Sequence, residues 1–147
     1  METIYNGNRS LTISLINEIA ENVIIDNNRK YIVMINITSD FEINKIEKNI
    51  SNLVNKNCYE IYCTNFLSGQ VYAEKLHDTI DDYIEKNNYL KINTSFENNG
   101  SLDNICFYFF HTVGKYNDVD FYVIIGNKKI EKSIKKYFNK YCNRERK

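Results

Sequence analysis

Short apolar runs along the chain alternate with longer stretches in which apolar residues recur every three or four positions, the pattern of strands followed by amphipathic helices. Residues 31–38, YIVMINIT, are apolar on both faces, as in a strand covered by helices on each side. Ser39-Asp40-Phe41-Glu42 reads as a capping box, and Ile43, Ile46, Ile50, Leu53 and Val54 then form one helical stripe. A second strand is expected at 58–64, where Glu60 faces away from Ile61 and suggests a sheet edge. A helix over 71–86 turns Tyr72, Leu76, Ile80, Tyr83 and Ile84 inward.

A third strand at 89–94 alternates and also reads as an edge. Ser101 then caps a helix with Leu102, Ile105, Cys106, Phe109, Phe110 and Val113 on its stripe and a stop at Gly114. Residues 120–126 carry FYVII, apolar on both faces, and the last helix buries Ile130, Ile134, Phe138 and Tyr141. Ahead of these units, residues 1–9 look frayed, Ser10 caps a short helix through Leu11, Leu15, Ile16 and Ile19, and Asp26-Asn27-Asn28 makes a turn. The expected fold is α/β: a single domain with a four-stranded, mainly parallel sheet flanked by helices and an extra N-terminal helix. Only the first and fourth strands lack a polar face, so they are expected as interior parallel neighbours in an order 2-1-4-3.

The chain has 147 residues, enough for a self-sufficient core. Abundant Asn, Ile, Lys and Tyr with no Pro or Trp is a composition expected from AT-rich coding, so much of the polarity carries no functional signal. No apolar run approaches the roughly 20 residues of a membrane span. The four cysteines show no metal or redox spacing, and residues 1–15 lack a leader pattern, which together predict a reduced, cytoplasmic protein with Cys106 buried.

Charge changes the picture more. Residues 128–147 hold nine basic and two acidic residues, whereas 1–127 hold ten basic and seventeen acidic, so a basic C-terminal element sits on an acidic body. The simplest account is that the two complement each other within the fold. Glu74, Asp78, Asp81, Asp82 and Glu85 recur at spacings of three and four, which places most of them on one helical face. Exposed carboxylates on one helix do not converge as a divalent-cation cage requires, so no metal is expected there. The alternatives are a solvated stripe or a face that docks a basic partner by imitating a phosphate backbone. Lys128, Lys132, Lys136 and Lys140 form an i, i+4 row on the last helix, but no aromatic stacking set or base-reading motif accompanies it, which argues against direct nucleic-acid binding.

Ligands in an open α/β sheet sit beyond the carboxyl ends of the strands, here residues 39–40, 64–66, 94–99 and 127–129. Asp40, Asn65, Glu97 and Lys128 are the side chains to watch. Gly69, Gly100 and Gly126 fall in no phosphate-cradling pattern, so no cofactor is expected. His77 and His111 lack a sequence-evident nucleophile or orienting partner and read as surface or boundary residues.

From 31 to 126, and in LKINTSFENNGSLDNICFYF particularly, the chain resembles a family of small uncharacterised bacterial α/β proteins in which a Thr-Thr-Trp-His-Asp stretch closes the third strand. Thr94, Ser95, Ser101 and Leu102 fit that pattern, while Phe96 and Glu97 stand in place of its Trp and His. The resemblance implies fold and provenance and brings no activity. The absence of catalytic motifs, the segregated charge and twelve tyrosines favour a non-enzymatic inhibitor of the toxin-immunity or phage and host counter-defence type, binding another protein, with basic or nucleic-acid-acting proteins among the candidate partners. The rival is a small enzyme or ligand-binding module using the strand-end loops. Oligomeric state has no signal in the sequence.

Overall fold

A computed structural model describes residues 2–20, 29–66, 70–89, 91–112 and 119–144. The turn at Asp26-Asn27-Asn28, Gly69, Leu90, Val113, the stop at Gly114 and the tail residues Arg146 and Lys147 lie outside the described residues. The fold is α/β, with one mixed six-stranded sheet between helical layers. Its strands are β1 (Glu2–Asn6), β2 (Arg9–Leu15), β3 (Lys30–Asn36), β4 (Cys58–Thr64), β5 (Asn93–Glu97) and β6 (Val119–Ile125), ordered β1-β2-β6-β3-β4-β5. All neighbouring pairs are parallel except the β1–β2 hairpin.

The sheet therefore has two strands more than expected, and both come from the segment read as frayed end and helix. Leu11, Leu15, Ile16 and Ile19 do recur at helical spacing, but Leu11 and Ile13 alternate with Thr12 and Ser14, and β-branched residues favour the pleat. Gly7 takes φ 66° in the two-residue turn that pairs Asn6 with Arg9, a backbone position open to glycine at no steric cost. The Thr3 and Thr12 hydroxyls meet across the hairpin at 2.9 Å. Only Ile16–Ala20 is helical here, as a 3-10 turn.

β3 and β6 are interior parallel neighbours, as their two apolar faces require, with Lys30 beside Val119 through Asn36 beside Ile125. Met34 and Val123 are fully buried. The order 2-1-4-3 fails at its end: the strand after the second crossover, β5, pairs with β4 rather than β6, because β2 already occupies the free side of β6. β4 is consequently interior and not an edge. Glu60 sits instead in a hollow of about 210 Å³ with Ile32, Tyr59, Lys91 and Asn93, and burial raises its carboxyl above the usual range.

Two separate cores follow from the pleat. Tyr31, Val33, Ile35, Ile61, Cys63 and Ile124 pack beneath helices α1 (Asp40–Lys48) and α2 (Tyr72–Lys86). Ile32, Met34, Leu11, Ile13, Phe121 and Val123 pack beneath α3 (Leu102–Phe107), its π-helical continuation Tyr108–Thr112, and α4 (Glu131–Arg144). Phe121 is ringed by Phe109, Phe110 and Phe138 with centroids 5.5, 5.1 and 5.8 Å away, all edge-on, and the Arg9 guanidinium lies 4.9 Å from its ring centre. Each such ring pair adds about 0.5–1.5 kcal/mol beyond the area it buries.

Amide hydrogen exchange is expected to be slowest in β3 and β6 and faster in the edge strands β1 and β5; edge-like rates in β6 would contradict the strand order. Phe121→Ala should cost about 3–5 kcal/mol in a denaturant titration, since it leaves a cavity among three other rings.

Candidate functional site

The carboxyl ends of β2, β6, β3, β4 and β5 share one rim of the sheet, and the crossovers diverge between β3, whose chain leaves into α1 on one face, and β6, whose chain leaves into α4 on the other. That divergence is where an open α/β sheet ordinarily has its ligand crevice. Here Glu42 occupies it. Ser39 Oγ accepts the Glu42 amide at 3.3 Å, and Glu42 Oε1 accepts from Thr38 N at 2.6 Å and Thr38 Oγ1 at 3.0 Å, so the carboxylate reaches one residue further back than a standard capping box. A Cβ on Gly126 would lie 1.8 Å from Glu42 Oε2, so a side chain there would displace the carboxylate.

The four strand-end candidates are not brought to one place. Asn65 is fully buried and spent on the fold: its Nδ2 donates to Asn98 O at 2.8 Å and its Oδ1 accepts the Ala73 amide at 2.8 Å. Val71 gives α2 no side-chain cap, so the first turn is capped from a distance by Asn65 and by Asn98 Oδ1, which accepts the Glu74 amide at 3.2 Å. Asp40 is exposed and lies 3.4 Å from Lys75 Nζ, while Glu97 Oε2 accepts the Asn99 amide at 3.3 Å. Lys128 borders a separate hollow of about 290 Å³ walled by Glu2, Ile13, Leu15, Glu18 and Glu131. Leu15 N donates to Glu18 there at 2.7 Å and lowers that carboxyl.

The acidic helix divides in two. Asp81 is half-buried and turned to the sheet edge: its Oδ1 accepts the Thr94 hydroxyl at 2.5 Å, and its Oδ2 lies 3.5 Å from His77 Nε2. His77 also touches Thr94 Oγ1 through Nε2 at 3.1 Å, lies 3.4 Å from Asp78 Oδ1 through Nδ1, and packs 5.0 Å from the Phe96 ring. It is a joint between α2 and β5, with Thr94 as the partner that sequence spacing does not reveal. Glu74 accepts from Asn98 Nδ2 at 3.3 Å. Asp78, Asp82 and Glu85 face solvent, and no lysine or arginine among the described residues pairs with them.

The expected complement, the lysine row of α4, is on the opposite side of the sheet. α2 packs into the core with α1, and α4 into the core with α3, so the two charged helices do not neutralise one another. Lys135 pairs with Glu2 at 2.6 Å and Glu131 at 3.8 Å, whereas Lys132, Lys136 and Lys140 are exposed and meet no carboxylate among the described residues. Phe107 and His111 stack 4.8 Å apart on the α3 side, Phe107 meets Tyr141 edge-on at 5.1 Å, and Tyr137 stacks on Tyr141 at 5.8 Å. Aromatic rings thus flank the lysines after all, contributed partly by a helix some thirty residues earlier.

All four cysteines are buried free thiols, and burial raises Cys58 and Cys106 to about 12. Among the described residues no group of three or more His, Cys, Asp or Glu side chains is placed to hold a metal ion, and no helix is long and apolar enough to cross a membrane. No family model, curated protein or solved structure matches the chain.

Asn65→Ala removes a helix cap and leaves the Asn98 carbonyl unpaired, and should cost about 2–4 kcal/mol, read from the unfolding midpoint; a neutral effect would return Asn65 to the ligand candidates. Cys106 should react with a thiol reagent only on unfolding, so that native labelling is slower by orders of magnitude than labelling in denaturant.

Proposed function

We propose that this chain is a non-enzymatic protein-binding protein, an inhibitor of the toxin-immunity or phage and host counter-defence kind, which engages a basic partner through α2. The observation that carries the reading is the row Asp78, Asp82 and Glu85, exposed and paired with no lysine or arginine among the described residues, although His77 Nδ1 lies 3.4 Å from Asp78. Like charges at three- and four-residue spacing destabilise a helix by about 0.2–0.5 kcal/mol per pair, a cost that no lysine or arginine ion pair to these three carboxylates offsets among the described residues. A partner's lysines and arginines would. The nearby Phe96 ring, 41% exposed on edge strand β5, supplies apolar area beside the carboxylates. A basic partner that acts on nucleic acid fits this chemistry, since spaced carboxylates on a rigid helix resemble a run of phosphates.

The resemblance of residues 31–126 to small bacterial α/β proteins belongs to the same proposal, which takes the chain as a single cytoplasmic domain of bacterial or phage origin. The rival reading, a ligand site at the strand ends, loses support from the Glu42 carboxylate in the crevice and from the engagement of Asn65 in capping α2.

Neutralising the row as Asp78→Asn, Asp82→Asn and Glu85→Gln should abolish capture of the basic partner while stability stays level or rises by a few tenths of a kcal/mol. Binding by the unaltered protein should weaken with salt, mainly through a slower association rate, because exposed charges steer encounters over a Debye length of about 8 Å. Undiminished capture by the triple variant would refute the acidic-face reading. Asp81 is left in place because its contacts with Thr94 and His77 serve the fold.

A further inference from the structure

We infer that the outer surface of α3 and α4 is a binding strip for single-stranded nucleic acid, made of Phe107, His111 and Tyr137 beside Lys136 and Lys140. On α4, Tyr141 is buried at 4% exposure and Tyr137 lies at the margin of the buried stripe; Lys140 and then Lys136 follow around the helix, with the Lys140 ammonium 5.2 Å from the Tyr141 ring centre. Phe107, 36% exposed, extends the aromatic line onto α3 through its edge-on contact with Tyr141, and His111 stacks on it with planes 12° apart. Asp103 accepts the Tyr141 hydroxyl, which holds that ring in place as the support of the line.

Two features favour a nucleic-acid strand over an acidic polypeptide. Lysines at i, i+4 stand about 6 Å apart along the helix axis and meet no carboxylate among the described residues, so each is available to a separate phosphate. The rings beside them offer flat faces on which unpaired bases stack without regard to sequence, whereas the carboxylates of an acidic polypeptide are repelled by the negative face of a ring. A duplex keeps its bases stacked inside and gains only the lysine contacts. The strip lies on the opposite layer from α2, so it is independent of the acidic row, and a strand bound here leaves Asp78, Asp82 and Glu85 open.

The test is fluorescence anisotropy with a labelled oligodeoxythymidylate of about 20 nucleotides, at low and physiological salt. The unaltered protein should bind it about tenfold or more tighter than a mixed-sequence duplex of equal length. Lys136→Gln and Lys140→Gln together should weaken binding and lower the salt slope by about 1.4, from about 0.7 per phosphate contact on a single strand. Phe107→Ala with Tyr137→Ala should lose about thirtyfold or more at unchanged salt slope. The lysine variant alters only exposed side chains, so the assignment stays testable if the aromatic variant proves unstable. Equal or tighter duplex binding, displacement of the oligonucleotide by polyglutamate as readily as by unlabelled strand, or no binding would each overturn it. The variant neutralised at Asp78, Asp82 and Glu85 should keep full oligonucleotide affinity, so failure of the partner-binding reading and failure of this one are told apart.

Discussion

The burial of β6 is the constraint on which the rest depends. The strand is contributed late in the chain yet is inserted between β2 and β3, with Phe121, Val123 and Ile125 in one core and Ile124 in the other. A strand apolar on both faces needs a helical layer on each side. The crossovers after β3 and β4 supply one layer; the segment before β6 and the helix after it supply the other. Chain order then decides where charge goes. The acidic helix α2 belongs to the first layer and the basic helix α4 to the second, and the sheet stands between them.

This placement turns an unremarkable net charge of zero into two opposed faces. Within each layer the residues nearest the sheet edge are drawn into the fold: Asp81 and His77 join α2 to β5 through Thr94, and Lys135 ties α4 to β1 through Glu2. The residues one turn further out keep their charge exposed. The strand-end rim, by contrast, spends its polar groups internally, with Glu42 against Thr38 and Gly126, and Asn65 as the remote cap of α2. A rim engaged in that way holds the helices in register with the sheet and leaves the helix faces as the surfaces with unmet interactions.

Central strands were legible in the sequence because β3 and β6 have no polar face, a pattern that few alternatives share. The N-terminal hairpin is ambiguous in the sequence because Leu11, Leu15, Ile16 and Ile19 satisfy the helical period while Leu11 and Ile13 satisfy the strand period, and the Gly7-Asn8 turn signal is the feature that distinguishes them. The place of β5 depends on that ambiguity, since the side of β6 that a four-stranded sheet leaves for β5 belongs to β2. The caps at Ser39 and Ser101 were local and readable; the cap of α2 was not, because Asn65 and Asn98 reach it from the ends of two strands. The aromatic line beside the lysines escaped for the same reason, since Phe107 and Tyr141 meet only once the second layer has folded.

The central claim, that the sheet keeps the two charged helices energetically apart, is tested most directly by a double-mutant cycle on unfolding free energy. One variant would carry Asp78→Asn, Asp82→Asn and Glu85→Gln, another Lys132→Gln, Lys136→Gln and Lys140→Gln, and a third all six. Their effects should add to within about 0.3–0.5 kcal/mol, as for sites that share no partners. A coupling energy above about 1 kcal/mol would mean that the acidic and basic helices neutralise each other within the fold, and the account of two free faces would be wrong.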